Sequence, residues 1–459
     1  MPTRYDAIVI GTGQSGPSLA ARLAGSGRRV AIIERKRFGG TCVNNGCIPT
    51  KALVASARAA YIARRAGDFG VVLDGAVRVD MQKVKARKDA IVRRSSTGVE
   101  KWLKSTANVT VYEGHGRFEG GHIVRVNDDL LEAPWIFVNA GGRATHPPIS
   151  GLDSVPYLNN STMMEVDFLP EHLVVIGGSY VGLEFGQMYR RFGSHVTIIE
   201  RGPRILSRED DDVSDAIRGI LEAEGVRIVA PACDFSVEAR NGGVAVKVTC
   251  QETPLEVAGS HLLVAVGRRL NTDDLGLDKA SIDADKNGYI TVDDQLRTSV
   301  DGVWAIGDCN GRGAFTHTSY NDYEIVAANL LDNDPRRVSD RIPTYGLFID
   351  PPLGRAGLTE KEVRRAGRHA LMATRAMTRV SRAYERSETQ GFMKVLVDAE
   401  TKLILGASML GIEGDEIIHS ILDIMYARAP YTVIQRAVHI HPTVSELIPT
   451  LLGDLKPLA

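Results

Sequence analysis

A buried strand, a glycine-spaced turn, a helix and a second strand ending in an acid occur in that order twice in this chain, and few folds accept such an arrangement. Residues 6–10 are a continuous apolar run after Asp6, Gly11, Gly13 and Gly16 space a turn, residues 18–23 have helical apolar spacing, and residues 29–34 form a second apolar run closed by Glu34. The order returns at residues 173–176, 177–182, 183–192 and 196–200, with Gly177, Gly178 and Gly182 in the turn and Glu200 closing the strand. A strand, crossover helix and parallel strand of this length make a βαβ unit. The expected fold class is therefore α/β, with two Rossmann-like dinucleotide-binding domains and, from residue 342 onward, a C-terminal α+β domain that carries no glycine fingerprint.

The glycines have a chemical reason. Without a Cβ the backbone can approach a pyrophosphate at the positive end of the helix, and the acid at the end of the next strand accepts from ribose hydroxyls. Gly11, Gly13, Gly16 and Glu34 thus point to one dinucleotide. The second turn departs from the pattern, because Ser179 stands where the middle glycine is usual. Glu200 favours a ribose 2′-hydroxyl and repels a 2′-phosphate, which selects NADH over NADPH, while Arg201 and Arg204 are cations able to pair with such a phosphate.

Size and composition bound the remaining classes. A chain of 459 residues suits roughly three domains at about 150 residues each. A formal charge of −1, without a dominant basic stripe, excludes a nucleic-acid partner as the expectation. No apolar run reaches the roughly 18 residues that span a bilayer, so no membrane partner and a cytoplasmic location are expected. Residues 51–65 and 81–103 read as helices, and the alternating segment 109–138 reads as small antiparallel strands.

Of five cysteines, Cys233, Cys250 and Cys309 stand alone in sequence, whereas Cys42 and Cys47 share the run G-G-T-C-V-N-N-G-C-I-P-T-K from Gly39 to Lys51, which leads into a helix. In a reducing compartment a local pair is catalytic or metal-binding rather than a staple. Five residues along a regular helix separate Cα atoms by roughly 8.6 Å, beyond the ~4.4 to 6.8 Å that a disulfide tolerates. A bonded pair therefore requires a bent helix start, for which Gly46 and Pro49 provide the means. A thiolate there is stabilised by the helix N-terminus. A zinc half-site and two unpaired core thiols are the competing readings, although zinc usually takes shorter cysteine spacings and further ligands.

Near the C-terminus, H-P-T-V-S-E sets His441 five residues before Glu446. An imidazole of ordinary pKa ~6.5 can take a proton from a thiol near ~8.5, and Glu446 can orient the ring. His439 reads as structural.

With both fingerprints, the cysteine box and this last motif, the chain resembles the pyridine nucleotide-disulfide oxidoreductases from end to end. Val266-Gly267-Arg268, Ala305-Ile306-Gly307-Asp308, Asp350-Pro351 and Gly357-Leu358-Thr359 extend the resemblance. It implies FAD and NAD(H) as cofactors, with NADP(H) the alternative, and a small-molecule disulfide or dithiol as substrate, as in lipoamide dehydrogenases. It implies that Cys47 faces the flavin and forms the charge-transfer thiolate while Cys42 exchanges with substrate. Lys51 and Glu184 match the ion pair beside the flavin ring. Asp308 with Gly307 matches the ribityl contact, Tyr180 the gate over the nicotinamide, and Gly267 lies in the adjoining motif. It further implies a homodimer in which His441 and Glu446 serve the disulfide of the other subunit. The domains expected are 1–150 for the first part of the FAD-binding domain, 151–270 for NAD(P) binding, 271–341 for a return to the FAD-binding or central domain, and 342–459 for dimerisation.

Departures from the family pattern also inform the reading. Mercuric reductases carry a vicinal cysteine pair near the C-terminus, where this tail reads L-G-D-L-K-P-L-A, and an N-terminal heavy-metal module is not expected because the first nucleotide strand begins at once. Asn45 stands where valine is typical beside the cysteines. Arg379, Arg382 and Arg386 form a basic cluster that reads as a solvated face rather than an acidic-substrate site. The competing functions are a quinone or mercuric-type reductase and a non-catalytic, flavin-binding redox sensor.

Overall fold

The computed structural model describes residues 1–240 and 242–458. The chain divides into two compact units, one made of residues 1–52, 85–146 and 267–341, the other of residues 53–84, 147–266 and 342–459.

The first unit is built on a five-stranded parallel sheet in the order Val303–Ala305, Trp135–Val138, Ala7–Ile10, Val30–Glu34 and Val109–Glu113. Ala7–Ile10 is buried along its whole length, packed against the helix Gly16–Gly25 and near enough to the strand Gly116–Gly120 that a Cβ on Gly116 would lie 3.4 Å from Ile10. A second sheet of four strands, Thr3–Arg4, Asp129–Glu132, Ile123–Val126 and Gly116–Gly120, lies beside it in sequence. The segment 109–138 is therefore only partly the antiparallel piece expected. Its two ends belong to the parallel sheet: Val109–Glu113 alternates because it is an edge strand, while Trp135–Val138 is central and mostly buried.

The second unit repeats the parallel arrangement, with Val226–Val229, His195–Ile199, His172–Ile176 and His261–Val264 in that order. An antiparallel meander, Cys233–Arg240, Gly243–Cys250 and Thr253–Gly259, follows from the same segment. Residues 342–459 add a six-stranded antiparallel sheet against which the helix Gly414–Tyr426 packs closely enough that a Cβ on Gly354 would lie 2.2 Å from the Gly414 oxygen. This is the expected α/β class with a C-terminal α+β portion.

Buried charge ties this second unit together. Arg191 pairs with Glu224 at 2.7 Å and with Asp350, and Arg58 reaches Asp350 at 2.7 Å and Glu388 at 2.7 Å. Burial pushes the Asp350 carboxyl up, but Arg191 and Arg58 win and hold it below the usual range. Among the described residues, no helix is long and apolar enough to cross a membrane.

Candidate active site

The two glycine turns are the same object built twice. Gly11 and Gly177 have φ of +108° and +116°, and a Cβ on either would strike a carbonyl, that of Asn139 at 2.4 Å or of Ala265 at 2.5 Å, just past the neighbouring parallel strand. The helices that follow press equally hard on the turn: a Cβ on Gly16 would lie 2.2 Å from the Gly11 oxygen, and one on Gly182 would lie 1.9 Å from the Gly177 oxygen. Glu34 accepts from the Thr12 N–H at 3.1 Å, 22 residues back, and from Lys36 N–H at 2.8 Å, two residues on. Glu200 does likewise with Gly178, 22 residues back, and Gly202, two residues on, both at 2.6 Å. Each acid thus holds its own glycine turn against the end of the next strand. The sequence reading gave these carboxylates to ribose alone. The structure shows that they also brace the loop.

The second turn's departure has a structural answer. Gly178 does not stand in for the missing middle glycine, because a Cβ there would meet Ile205 at 2.8 Å and Glu200 at 2.9 Å; it is glycine so that the acid can pack against it. Ser179 occupies the middle position and immediately precedes the helix Tyr180–Phe192. Arg204 pairs with Asp215 and lies 3.7 Å from Asp211, so its charge is already matched.

At the first turn the donor set fits a dinucleotide. The helix Gly16–Gly25 begins there without a side-chain cap, leaving the backbone donors that a helix start presents. The Nδ2 donor of Asn139 is buried without a partner, and a Cβ on Gly13 would lie 3.1 Å from it. Asp308 lies in the short turn Gly307–Asn310 after the strand Val303–Ala305. Burial pushes its carboxyl up, against the pull of Arg268 at 3.5 Å. Gly307 has φ of +75° and donates to Asp322 at 2.8 Å, and Gly267 has φ of +132°, a conformation that favours glycine.

The cysteine box breaks its helix as the spacing required. One short helix, Gly40–Asn44, ends before Asn45, and a second, Cys47–Arg64, starts at Cys47 itself. The break falls at Asn45 and Gly46, where a Cβ on Gly46 would meet the Thr41 oxygen at 2.9 Å. Pro49 is not the cause. It sits in the first turn of the second helix, where its missing N–H would have had no intrahelical partner anyway.

Both cysteines carry free thiols here, in hydrogen-bond contact with each other. The contact is asymmetric. The hydrogen bond given to Cys47 pushes Cys42 up, with burial adding to it. Cys47 is pushed down to about 6 by the hydrogen bond from Cys42, then by Thr316 and the Lys51 charge, against burial. The Cys47 sulfur lies 3.0 Å from the Thr316 hydroxyl, at the start of the helix Thr316–Ala327. Of the two sulfurs, Cys47 is therefore the one whose anion the surroundings favour, and Cys42 the one they keep protonated. Cys309, fully buried, is pushed up to about 12 and is inert by comparison.

In the second unit, Glu184 is buried and accepts from the Phe348 N–H at 3.0 Å. Tyr180 sets its ring edge-on to Tyr345, with centroids 5.7 Å apart. His441 directs Nδ1 at both Glu446 oxygens, 2.9 and 3.1 Å away, while its side chain is 74% exposed, which leaves Nε2 facing outward. His439 only approaches the Ala437 oxygen at 3.3 Å. Of the basic cluster, Arg382 pairs with its neighbour Glu385 at 2.8 Å, and Arg379 and Arg386 are exposed.

Thr316, Asn139 and Arg268 were not singled out as site residues by sequence reasoning. Asn139 had a readable signal, since a polar residue just past a parallel strand sits where such folds bind ligands, and Arg268 stood in the Val266-Gly267-Arg268 motif without being given a role.

Residues 5–322 match the pyridine nucleotide-disulphide oxidoreductase family, and residues 343–452 match its dimerisation domain. The chain is 35% identical to the probable pyridine nucleotide-disulfide oxidoreductase RclA of Escherichia coli over 99% of this chain and 100% of that one. It is 32% identical to dihydrolipoyl dehydrogenase 2 of Haloarcula marismortui and 32% identical to mercuric reductase of Streptomyces lividans, covering 97% of this chain and 95% of the relative in each case. The structure of the HOCl-induced flavoprotein disulfide reductase RclA from Escherichia coli superposes with a TM-score of 0.89 at 33% identity, over 98% of this chain and 99% of that one. The same protein solved as a Cu(II) complex also gives 0.89, at 34% identity over 97% and 99%.

Proposed function

The chain belongs to the pyridine nucleotide-disulphide oxidoreductases, and from that membership we propose how its own residues divide the work. It is an FAD-dependent disulfide oxidoreductase that uses NAD(P)H and carries the family's dimerisation domain. Residues 1–150 and 271–341 are assigned to the flavin, 151–270 to the nicotinamide and 342–459 to dimerisation. Gly11, Gly13, Gly16, Glu34, Asn139, Gly307 and Asp308 would hold FAD, and Gly177, Gly178, Gly182, Tyr180 and Glu200 the nicotinamide dinucleotide, with Gly267 counted among the cofactor-binding residues. The engaged Arg204 and the Glu200 carboxylate favour NADH.

When bound, FAD supplies the two-electron relay between nicotinamide and sulfur. Lys51 and Glu184 are assigned to the flavin's surroundings, Lys51 also supporting the Cys47 thiolate. His441 takes the Cys42 proton at Nε2, while Glu446 fixes Nδ1–H and supports the imidazolium. The Cys42 thiolate then attacks a substrate disulfide, forming a mixed disulfide and releasing one thiol, which receives the proton. The Cys47 thiolate attacks the Cys42 sulfur, breaks the mixed disulfide to leave a Cys42–Cys47 bond, and expels the second half of the substrate as a thiolate that takes its proton from solvent. The substrate gains two electrons and the cysteine pair loses two. The reverse sequence oxidises a dithiol, as in lipoamide dehydrogenases.

His441 is proposed to act across a homodimer. Val438 and Ile440, beside it, are 101% and 80% exposed in the single chain, which suits burial against a second copy.

The observation that carries this reading is the meeting of Cys42 and Cys47 across a broken helix start, with the Cys47 sulfur 3.0 Å from the Thr316 hydroxyl. The experiment is NADH-dependent reduction of lipoamide and glutathione disulfide by Cys42→Ser and Cys47→Ser variants. Both should lose disulfide reduction while flavin content is retained; turnover surviving in both would refute it. A second reading, reduction of a thiophilic metal ion at the same pair, is favoured by the relative solved as a Cu(II) complex. Cu(II)-dependent NADH oxidation that is lost in Cys42→Ser would support it.

A further inference from the structure

Tyr180 opens the helix that follows the second glycine turn, and its ring rests edge-on against Tyr345, at an interplanar angle of 78°. Tyr345 lies on the strand Thr344–Leu347, directly opposite Arg355 on the strand Leu353–Gly357. Its hydroxyl donates to Glu209 Oε1. The Glu209 and Arg355 side chains are each only 1% exposed, yet the nearest approach of Arg355 Nε to Glu209 Oε2 is 3.8 Å, too long for a hydrogen bond. Arg355 Nη1 is spent on the Ala407 oxygen at 3.0 Å and the Ser408 hydroxyl at 2.8 Å. Glu209 Oε2, Arg355 Nε and Arg355 Nη2 are buried without partners.

The segment carrying Glu209 is anchored at both ends. Leu206 N–H donates to the Gly178 oxygen at 2.9 Å, inside the glycine turn, and Glu209 N–H donates to Leu206 at 2.8 Å. On the other side, Asp210 accepts from the Glu360 and Lys361 N–H groups at 3.0 and 3.1 Å, and buried Lys394 reaches Asp210 at 3.0 Å. Glu209 therefore has a fixed place relative to the turn, and through Tyr345 it transmits that place to the Tyr180 ring.

A buried ion pair is a weak source of stability, since apolar residues of equal volume usually do as well or better. A pair left partly open is weaker still. Its merit is direction: one carboxylate oxygen fixes one hydroxyl, and the ring bearing that hydroxyl fixes another ring.

We infer that Tyr345 and Glu209 are positioning residues for Tyr180, holding its ring as one wall of the nicotinamide site, with Arg355 supplying the buried charge that keeps Glu209 in place. The inference rests on the assignment of Tyr180 to that site made above.

The test is the equilibrium binding of NAD⁺, which transfers no electrons to the oxidised flavoprotein, measured by titration calorimetry on the full-length, flavin-loaded protein. Tyr345→Phe should weaken binding about 2- to 10-fold, the range of a well-placed aromatic contact. Glu209→Ala, which removes the acceptor and leaves the Tyr345 ring, should weaken binding as Tyr345→Phe does and is the variant of choice if Tyr345→Phe folds poorly, while Glu209→Gln, which keeps an acceptor for the hydroxyl, should bind NAD⁺ more tightly than Glu209→Ala. The cycle is closed with Tyr180→Ala, in which Tyr345→Phe should have no further effect, because its action passes through the missing ring. If Tyr345→Phe changes nothing, or weakens binding equally with and without Tyr180, the inference is overturned while the Tyr180 assignment stands. If Tyr180→Ala alone leaves NAD⁺ binding unchanged, the assignment fails and the inference fails with it.

Discussion

Replacing Thr316 by valine isolates one of the forces that make Cys47 a thiolate. The Cys47 sulfur and the Thr316 hydroxyl are 3.0 Å apart, and valine keeps the shape while removing the donor. A hydrogen bond to a charged group is worth about 1.5–3 kcal/mol, and each pKa unit corresponds to about 1.36 kcal/mol. The Cys42 hydrogen bond and the Lys51 charge also support the anion, so the lower limit applies and the loss is about one unit. The thiol now pushed down to about 6 should then titrate about one unit higher. The sign is fixed by which form the donor favours. A hydroxyl donating to sulfur stabilises the anion, so its removal raises the pKa. At pH 7 the thiolate fraction falls from about nine-tenths to about one half. The assay is the pH dependence of iodoacetamide alkylation of the reduced protein at Cys47, in a Cys42→Ser background if both thiols react. That background also removes the Cys42 hydrogen bond, so Thr316→Val is compared with its own parent. Thr316→Ser should restore the parental midpoint. A midpoint that stays put or moves down in Thr316→Val would refute the reasoning.

Glu446→Gln should lower turnover about 10-fold or more with little change in KM for the disulfide, because His441 Nδ1 loses a charged acceptor at 2.9 Å; steady-state kinetics will show it. Gly178→Ala should cost about 1–3 kcal/mol of stability and weaken NADH binding, since the new methyl lands 2.8 Å from Ile205 and 2.9 Å from Glu200; chemical denaturation and titration calorimetry read the two effects. Arg191→Met should destabilise the second unit by about 3 kcal/mol by leaving Glu224 without its cation and Asp350 with Arg58 alone, visible in thermal melts. The Asp350 carboxyl is held below its unfolded value near ~3.9, so the stability it contributes is complete above that pH and fades as pH falls through the lower, folded value. The parent's melting temperature should drop over that acid range more steeply than that of Arg191→Met.

What the sequence disclosed and what it hid follow from distance along the chain. Glu34 and Glu200 were legible because strand, turn, helix and strand are consecutive, and the bend at Asn45 and Gly46 was legible because a five-residue spacing is incompatible with an unbroken helix. His441 and Glu446 were readable for the same local reason. Thr316 was not, because 269 residues separate it from Cys47 and only the folded chain brings its hydroxyl to the sulfur. The partnership of Tyr345 and Glu209 spans 136 residues and rests on a strand pairing that no local pattern encodes. The loop-bracing role of the two acids was hidden too, since a pattern of residue types reports that an acid is present and not which backbone donors it takes. Pro49 misled in the opposite sense: proline signals a helix break in general, but in a first helical turn it costs nothing.

The decisive measurement is an anaerobic titration of the flavin-loaded protein with NADH, counting titratable thiols as well as recording the spectrum. If Cys42 and Cys47 form the electron acceptor, the first equivalent of NADH should release two new thiols and raise long-wavelength absorbance, with that absorbance persisting in Cys42→Ser and vanishing in Cys47→Ser. Bleaching of the flavin by the first equivalent with no gain in thiols would contradict it.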